Sequence, residues 1–407
     1  MNPPATVLKP LGKHIKRIAK ADPAAYGGRA AKRGGTYEPF VPAHISQRSF
    51  PLGDDAAAAV AQATRALAQL GNVAPRLSSL DALARSVLRA ESMASSRIEG
   101  VHISHKRLAR AAHTAASGQA SDHRAVEVLG NVTAMETAIE LGSKRTPFKV
   151  KDIQEIHRML LRFTEDREIA GVIRTKQNWI GGNDYNPVGA DYVPPPPKKV
   201  PELLEDLCAF IDRDDLAPTA QAAIAHAQFE NIHPFADGNG RTGRALIYTV
   251  LRRREEIQDF IPPISLVLAS QPKAYVGSLG AYSRGKVDVL CERFADATAR
   301  AALEAESIAD AIDAQEARWL ERLKNPRSDS AARQLVSKLP AHPVIDAGVA
   351  ETLTGKSHTA VHNALNQLEA ADILQPLNER KWGRAWEAGE LLDLVAAFEK
   401  RVSTPRG

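Results

Sequence analysis

Two apolar runs of helical period converge on one twelve-residue stretch, and that junction constrains the rest of the chain. The first run spans Thr219 to Asn231 behind Pro218. The second spans Arg241 to Arg254, with Ala245, Leu246, Ile247, Val250 and Leu251 at its apolar positions. Between them stands His233-Pro-Phe-Ala-Asp-Gly-Asn-Gly-Arg-Thr-Gly-Arg244, expected as a tight turn joining two helices. Gly238 and Gly240 let backbone approach a ligand and take positive φ. The turn feeds a helix N-terminus, whose free N–H groups and dipole attract anions, and successive N–H groups there form an anion nest. Arg241 and Arg244, one turn apart, can aim guanidinium forks at phosphates. Asp237 offers a carboxylate for a divalent cation that bridges phosphate oxygens. His233 precedes a proline and so ends its helix; it is a candidate base near neutral pH. Together these residues describe transfer chemistry on a nucleotide phosphate. No Gly-Lys-Ser/Thr follows, so the stretch is not a P-loop. Arg241 occupies the fifth position of what would otherwise begin a calcium loop.

The stretch resembles the signature of Fic-domain proteins, His-x-Phe-x-Asp/Glu-Gly-Asn-Gly-Arg-x-x-Arg, and every fixed position is present. Most Fic enzymes transfer AMP from ATP to a hydroxyl side chain of a target protein. The resemblance implies a mainly α fold: a helical Fic core with a β-hairpin flap. By position, His233 would deprotonate a Ser, Thr or Tyr hydroxyl and Phe235 would pack under the loop. Asp237 would bind Mg²⁺. Gly238, Asn239 and Gly240 would hold the α- and β-phosphates of ATP, Arg241 and Arg244 would take the remaining charge, and Thr242 and Gly243 belong to the same nucleotide-binding turn. The phosphotransferase branch carries a lysine-containing variant here, and this chain departs from it.

Composition sets outer bounds. A length of 407 residues allows two to four domains. Cys208 and Cys291 are the only cysteines, too few for a disulfide framework or cysteine-rich zinc site, which fits a reducing cytoplasm. No run approaches eighteen apolar residues and no secretory h-region opens the chain, so no membrane span is expected. The net charge of +5 is uneven. Residues 1–50 hold nine basic residues against Asp22 and Glu38, or +7. Residues 1–54 thus read as a basic extended arm with little core, either solvated or facing nucleic acid or another acidic surface. Tyr37, Phe40, Val41 and Ile45 are expected to dock it onto the body.

Residues 55–145 read as helical, with runs at 55–70, 80–96, 104–117 and 121–141. The second ends in Ser95-Ser-Arg-Ile-Glu99-Gly100. Ser95 and Glu99 are four apart and would share a helix face, and Gly100 is a helix stop. This Ser/Thr-x-x-x-Glu-Gly/Asn pattern resembles the inhibitory helix of self-regulated Fic proteins, where the glutamate pairs with the last signature arginine, here Arg244. In some relatives the same glutamate helps remove AMP from the target.

The expected catalytic core covers 146–312. Val150 to Leu161 reads as a helix carrying His157, expected to be structural. Val172 to Ile180 has strand-like residue types, Gly181 to Gly189 a turn, and Asp191-Tyr-Val-Pro follows. The resemblance makes 176–193 the flap, whose edge pairs with the target backbone, and places Ile180, Gly181, Gly182 and Asn183 at the nucleotide. Tyr275 falls where relatives often carry an aromatic near adenine, or is a packing tyrosine. A helix from Val287 to Ile312 closes the core and 313–330 reads as linker.

Residues 331–407 order as helix, short helix, longer helix and two strands around Arg380-Lys-Trp-Gly383, which resembles a winged helix-turn-helix. Nine basic and nine acidic residues leave it neutral, so a DNA partner and a protein partner or homodimer both stay open. The function expected is protein adenylyltransfer under a Glu99 brake. Its rivals are a Fic enzyme using another phosphate-containing donor and an ATP-sensing DNA-binding regulator.

Overall fold

Alanine and leucine at three- and four-residue spacing put most of the chain into helices. The computed structural model describes residues 9–24, 32–73, 80–116, 122–258, 260–377 and 384–404. Four short strands come first: β1 (Gly12–His14), β2 (Arg17–Ala19), β3 (Gly35–Tyr37) and β4 (Phe40–Pro42). Then follow α1 (Asp54–Val73), α2 (Leu80–Ile98), α3 (His105–Ala116), α4 (His123–Ser143), α5 (Val150–Leu161), α6 (Val200–Ile211), α7 (Pro218–Ile232) and α8 (Asn239–Arg253). After them come α9 (Ile264–Leu268), α10 (Pro272–Ser283) and α11 (Val287–Arg322). The last stretch is α12 (Ala331–Lys338), β5 (Val344–Asp346), α13 (Ala347–Thr354), α14 (His358–Ala370), β6 (Gln375–Pro376), β7 (Ala385–Glu387) and α15 (Gly389–Ser403). Two compact units result, each drawn from separated segments of the chain.

The first unit comprises Met1–Ala63, Thr133–Glu255 and Lys273–Asp296. Its centre is α7, buried from Thr219 to Ile232 except at Glu230. Such a helix must present small residues so that neighbours can close on every side. Four of its positions from Ala220 to Ala225 are alanine. On the facing helix α8, a Cβ at Gly243 would come within 3.0 Å of the Phe229 ring and 2.6 Å of Glu230 Oε1.

The N-terminal arm corrects one expectation. The sequence suggests little core, yet Leu11 and Ile45 are fully buried and Phe40 nearly so, Phe40 and Ile45 being among the residues expected to dock the arm. β1 pairs antiparallel with β4 and β2 with β3, and side chains of the helical body bond to further backbone groups of the arm. Asp206 Oδ2 accepts from the Ile45 amide at 2.6 Å, Gln228 Nε2 donates to Ala43 O at 2.8 Å, and Arg213 Nη1 donates to Arg48 O at 2.7 Å. A buried extended segment needs such partners for its backbone.

The second unit comprises Thr64–Val132, Glu256–Pro272 and Ala297–Gly407. Glu91, fully buried on α2, accepts from the Ser265 and Leu266 amides at 2.8 and 3.3 Å, supplying the acceptor that the N-terminus of α9 lacks. α11 does not stop at Ile312. It stays helical to Arg322, so the expected linker shrinks to the residues around Asn325-Pro326. Trp319 explains the extension: it is fully buried and donates Nε1–H to Glu390 at 2.7 Å. The C-terminal strands form an antiparallel sheet ordered β5-β7-β6, with Trp386 opposite Ile345 and Pro376. Ser330, Asp346 and Ser357 cap α12, α13 and α14. The turn at 380–383 lies outside the described residues.

Candidate active site

Helix α7 ends because His233 takes a left-handed conformation, φ 47° and ψ 61°, with its N–H still bonded to Phe229 O at 2.9 Å. Few non-glycine residues adopt this region, and Pro234 forbids a helical continuation in any case. The chain then reverses, and Asn239 closes the reversal. Its Oδ1 accepts from the Phe235 amide and its Nδ2 donates to the Phe235 carbonyl, both at 2.9 Å. The Asn239 side chain is thus committed to the loop, leaving its backbone N–H as the group it can offer an anion.

Gly238, at φ 74°, is the N-cap of α8. A Cβ there would come within 2.8 Å of Leu160 Cδ2 and 3.2 Å of His157 Nε2, so both conformation and space demand glycine. The helix begins two residues earlier than its apolar pattern, at Asn239. The N–H groups of Asn239, Gly240 and Arg241 therefore form its unsatisfied first turn.

Charge is arranged around that turn. Arg241 is buried, with one bond from Nη2 to Asp237 Oδ2 at 3.3 Å, while its Nε and Nη1 have no hydrogen-bond partner among the described residues. A buried guanidinium with open donors costs desolvation that only an anion repays. The Asp237 side chain is 62% exposed. Arg244 and Thr242 are buried on the same helix, and Thr242 Oγ1 also lacks a partner among the described residues. The arrangement can grip a polyanion at a helix N-terminus, with a half-buried imidazole beside it.

His157 supports the loop from below. Its Nδ1 accepts from the Gly171 amide at 2.8 Å, which places the proton on Nε2, and Nε2 donates to Asp237 O at 2.9 Å. Its ring stacks on Phe235. Burial lowers its pKa to about 4, against the pull of Asp237, so it is neutral at physiological pH. The expectation of a structural histidine thus gains a specific content: it aims the Asp237 peptide.

Several supporting residues were invisible to sequence reasoning. Arg174 is buried, donates Nε–H to His233 O at 2.8 Å and Nη2–H to Pro195 O at 2.6 Å, and its own amide bonds Pro234 O. Burial lowers its pKa to about 10, so it remains charged, set against the C-terminal carbonyls of α7. Asn178 Nδ2 donates to Phe235 O at 2.9 Å, and Tyr192 donates to Asn231 O at 2.7 Å. A charged residue inside a strand-like run (Arg174 between Ile173 and Thr175) was the one available signal.

The flap differs from the expected two-stranded hairpin. It closes through a single antiparallel bridge, Ile180 to Tyr192. Pro187 and Pro194 to Pro197 cannot donate to a ladder, and Asn183 Oδ1 instead accepts from the Tyr185 and Asn186 amides in a side-chain-closed turn. Ile180, Gly181 and Gly182 are exposed there and Asn183 is half-buried. Tyr275 is 2% exposed, its hydroxyl 2.8 Å from His226 Nε2, so it stands in the wall between α7 and α10. In the second unit, α2 ends at Ile98. The Gly100 and Val101 amides bond back to Arg97 O and Ser96 O across Gly100 at φ 84°, a Schellman cap. Ser95 is fully buried and Glu99, one residue past the helix, is exposed.

Residues 147–251 match the Fic/DOC family, and residues 57–140 match the Fic/DOC family N-terminal. The first of these matches takes in the loop from His233 to Arg244 and the helices on either side of it. A protein adenylyltransferase Fic of Drosophila willistoni is 32% identical over 152 residues, 37% of this chain and 28% of that protein. Protein adenylyltransferase fic-1 of Caenorhabditis elegans is 30% identical over 165 residues, 39% of this chain and 30% of that protein. The match thus spans less than a third of either relative. The fold resembles the solved structure of a Fic family protein from Desulfovibrio desulfuricans G20, with a TM-score of 0.51 at 20% identity over 84% of this chain and 98% of that one. Among the described residues, no helix is long and apolar enough to cross a membrane.

Proposed function

We propose that this chain is a protein adenylyltransferase that moves AMP from ATP to a Ser, Thr or Tyr hydroxyl of another protein, releasing pyrophosphate. The observation that carries the reading is the half-satisfied, buried guanidinium of Arg241 beside the first-turn N–H groups of α8, which a helix cannot satisfy from within. That pair supports binding of a triphosphate. The names of the relatives from Drosophila willistoni and Caenorhabditis elegans agree with it.

In this reading the amides of Asn239, Gly240 and Arg241 hold phosphate oxygens, with Arg244 and the backbone at Gly243 farther along the helix. Ile180 to Asn183 border the nucleotide, and Tyr275 contributes through the wall it builds. His233 takes the proton of the attacking hydroxyl, its orientation set by Arg174 on its carbonyl. The barrier falls through positioning and charge neutralisation. A divalent cation, expected to be Mg²⁺, fits the exposed carboxylate of Asp237. One protein carboxylate with the rest of the shell from water and phosphate is how such ions usually bind, and no cluster of three acidic, His or Cys ligands exists among the described residues to form a closed cage. When bound it would neutralise phosphate charge.

Glu99 is proposed as a brake on this transfer, acting on the fork of Arg244 that the γ-phosphate needs. The order of α12 to β7 supports a reading of this segment as a winged helix, proposed as a module for a DNA or protein partner. The deciding experiment is incorporation of α-phosphate-labelled ATP into protein, with Mg²⁺ and cell lysate as target source, by wild type, Glu99→Gly and Glu99→Gly/His233→Ala. Label that rises with the first substitution and vanishes with the double one is expected. No label in any of the three overturns the reading.

A further inference from the structure

Arg97 and Glu399 are 302 residues apart in sequence, yet Arg97 donates through Nη2 to Glu399 Oε2 at 2.6 Å. His105, the first residue of α3, places Nε2 3.3 Å from the other carboxylate oxygen. One carboxylate on the last helix, α15, is therefore hydrogen-bonded to the end of α2 and lies against the start of α3, the two helices that flank the turn carrying Glu99. The carboxylate is buried, as is His105, while Arg97 is half-buried. A buried charge shared between two partners fixes geometry far more firmly than an exposed pair.

The rest of the C-terminal module reinforces that clamp. Along α3, Lys106 pairs with Asp393 at 3.0 Å, Arg110 with Glu387 at 2.9 Å and His113 with Asp346 at 3.4 Å. Ala109 packs with Val344 and Leu392 in one buried cluster. Residues from β5, β7 and α15 thus grip one face of α3, and Glu399 extends the grip across to α2. The turn from Glu99 to Ser104 joins these two helices, with Val101 and Ile103 packed on Met93, Leu108 and Val128, and Glu399 spans its two ends.

We propose that Glu399 is a positioning residue for the Glu99 brake: it locks the ends of α2 and α3 together, so the C-terminal module controls where Glu99 stands. This rests on the reading of Glu99 as a brake. Loss of the lock frees the turn and releases transfer, and anything that pulls α15 off α2 does the same. The module is then the handle of the brake and not an independent appendage.

The test uses the full chain and initial rates of label transfer from α-phosphate-labelled ATP with Mg²⁺. Wild type, Glu399→Gln, Arg97→Gln, Glu99→Gly and Glu399→Gln/Glu99→Gly are compared, with amide hydrogen exchange of residues 97–105 measured alongside. Glu399→Gln is expected to raise transfer roughly tenfold, within the usual range of allosteric couplings, and to speed exchange across the turn. In the Glu99→Gly background it adds nothing. Arg97→Gln, which breaks the same clamp from its more exposed side, raises transfer too and guards against a Glu399 variant that simply misfolds. If Glu99→Gly raises transfer while Glu399→Gln and Arg97→Gln, folded by thermal melting, stay at the wild-type rate, the brake stands and the lock is overturned. Equal stimulation by Glu399→Gln with and without Glu99 also overturns it. If Glu99→Gly itself changes nothing, the brake reading has failed first.

Discussion

The imidazole of His157 lies flat on the ring of Phe235, with centroids 3.8 Å apart and planes 1° from parallel. The same histidine joins the Gly171 amide to the Asp237 carbonyl. One neutral side chain therefore holds both the apolar floor of the His233–Arg244 loop and the peptide from which Asp237 projects.

This arrangement makes stability sensitive to acid. The pKa of His157 is lowered to about 4 and that of His226 to about 3, burial being the main cause in both. Both imidazoles are neutral in the fold, so the stability they lend is fully present above the unfolded pKa near 6.5. It is lost as pH falls from there toward 4 and 3. For His157 alone the loss is on the order of 3 kcal/mol. Thermal melting of wild type and His157→Phe between pH 7 and 4 checks this. The variant keeps the stack, is less stable at pH 7, and shows a shallower acid decline.

Gly238→Ala forces a Cβ into a left-handed position and against Leu160. The conformational strain is about 1–2 kcal/mol, and the contact adds to it. A lower melting temperature is expected together with a loss of ATP binding larger than the loss of stability explains, because the N-terminus of α8 must shift. Isothermal titration with ATP and Mg²⁺ measures it, and unchanged affinity would count against the nest.

Arg241→Lys retains the charge and removes the fork. A lysine cannot fill the positions of Nε and Nη1 together, so ATP affinity should fall about tenfold, equivalent to about 1.4 kcal/mol. The fold should hardly change.

Arg174→Met tests the link between flap and loop. It leaves the carbonyls of His233 and Pro195 without their buried donor, a penalty of roughly 1–3 kcal/mol for each. Transfer is expected to drop far more than ATP binding, since His233 loses its orientation while the nest is untouched. Comparing kcat with the ATP dissociation constant separates the two effects.

The sequence alone determined the helical class, the site of the loop and the identity of its acid, arginines and histidine. Helical periodicity is a local property, and His233 to Arg244 is contiguous, so spacing alone was enough to read them. Gly100 as a stop was legible for the same reason. Tertiary structure decided what periodicity cannot express. His157 and Arg174 matter through bonds to carbonyls 80 and 59 residues away, and nothing in their own surroundings marks those partners. The arm gained a core because Asp206, Gln228 and Arg213 satisfy its backbone. The flap lost its ladder to prolines and an asparagine turn. The clearest division concerns residues 331–407, which read as a separate neutral module behind a linker. The fold instead ties that module to α2 and α3 through Glu399, because the match of one buried carboxylate to Arg97 and His105 exists only once distant segments have packed.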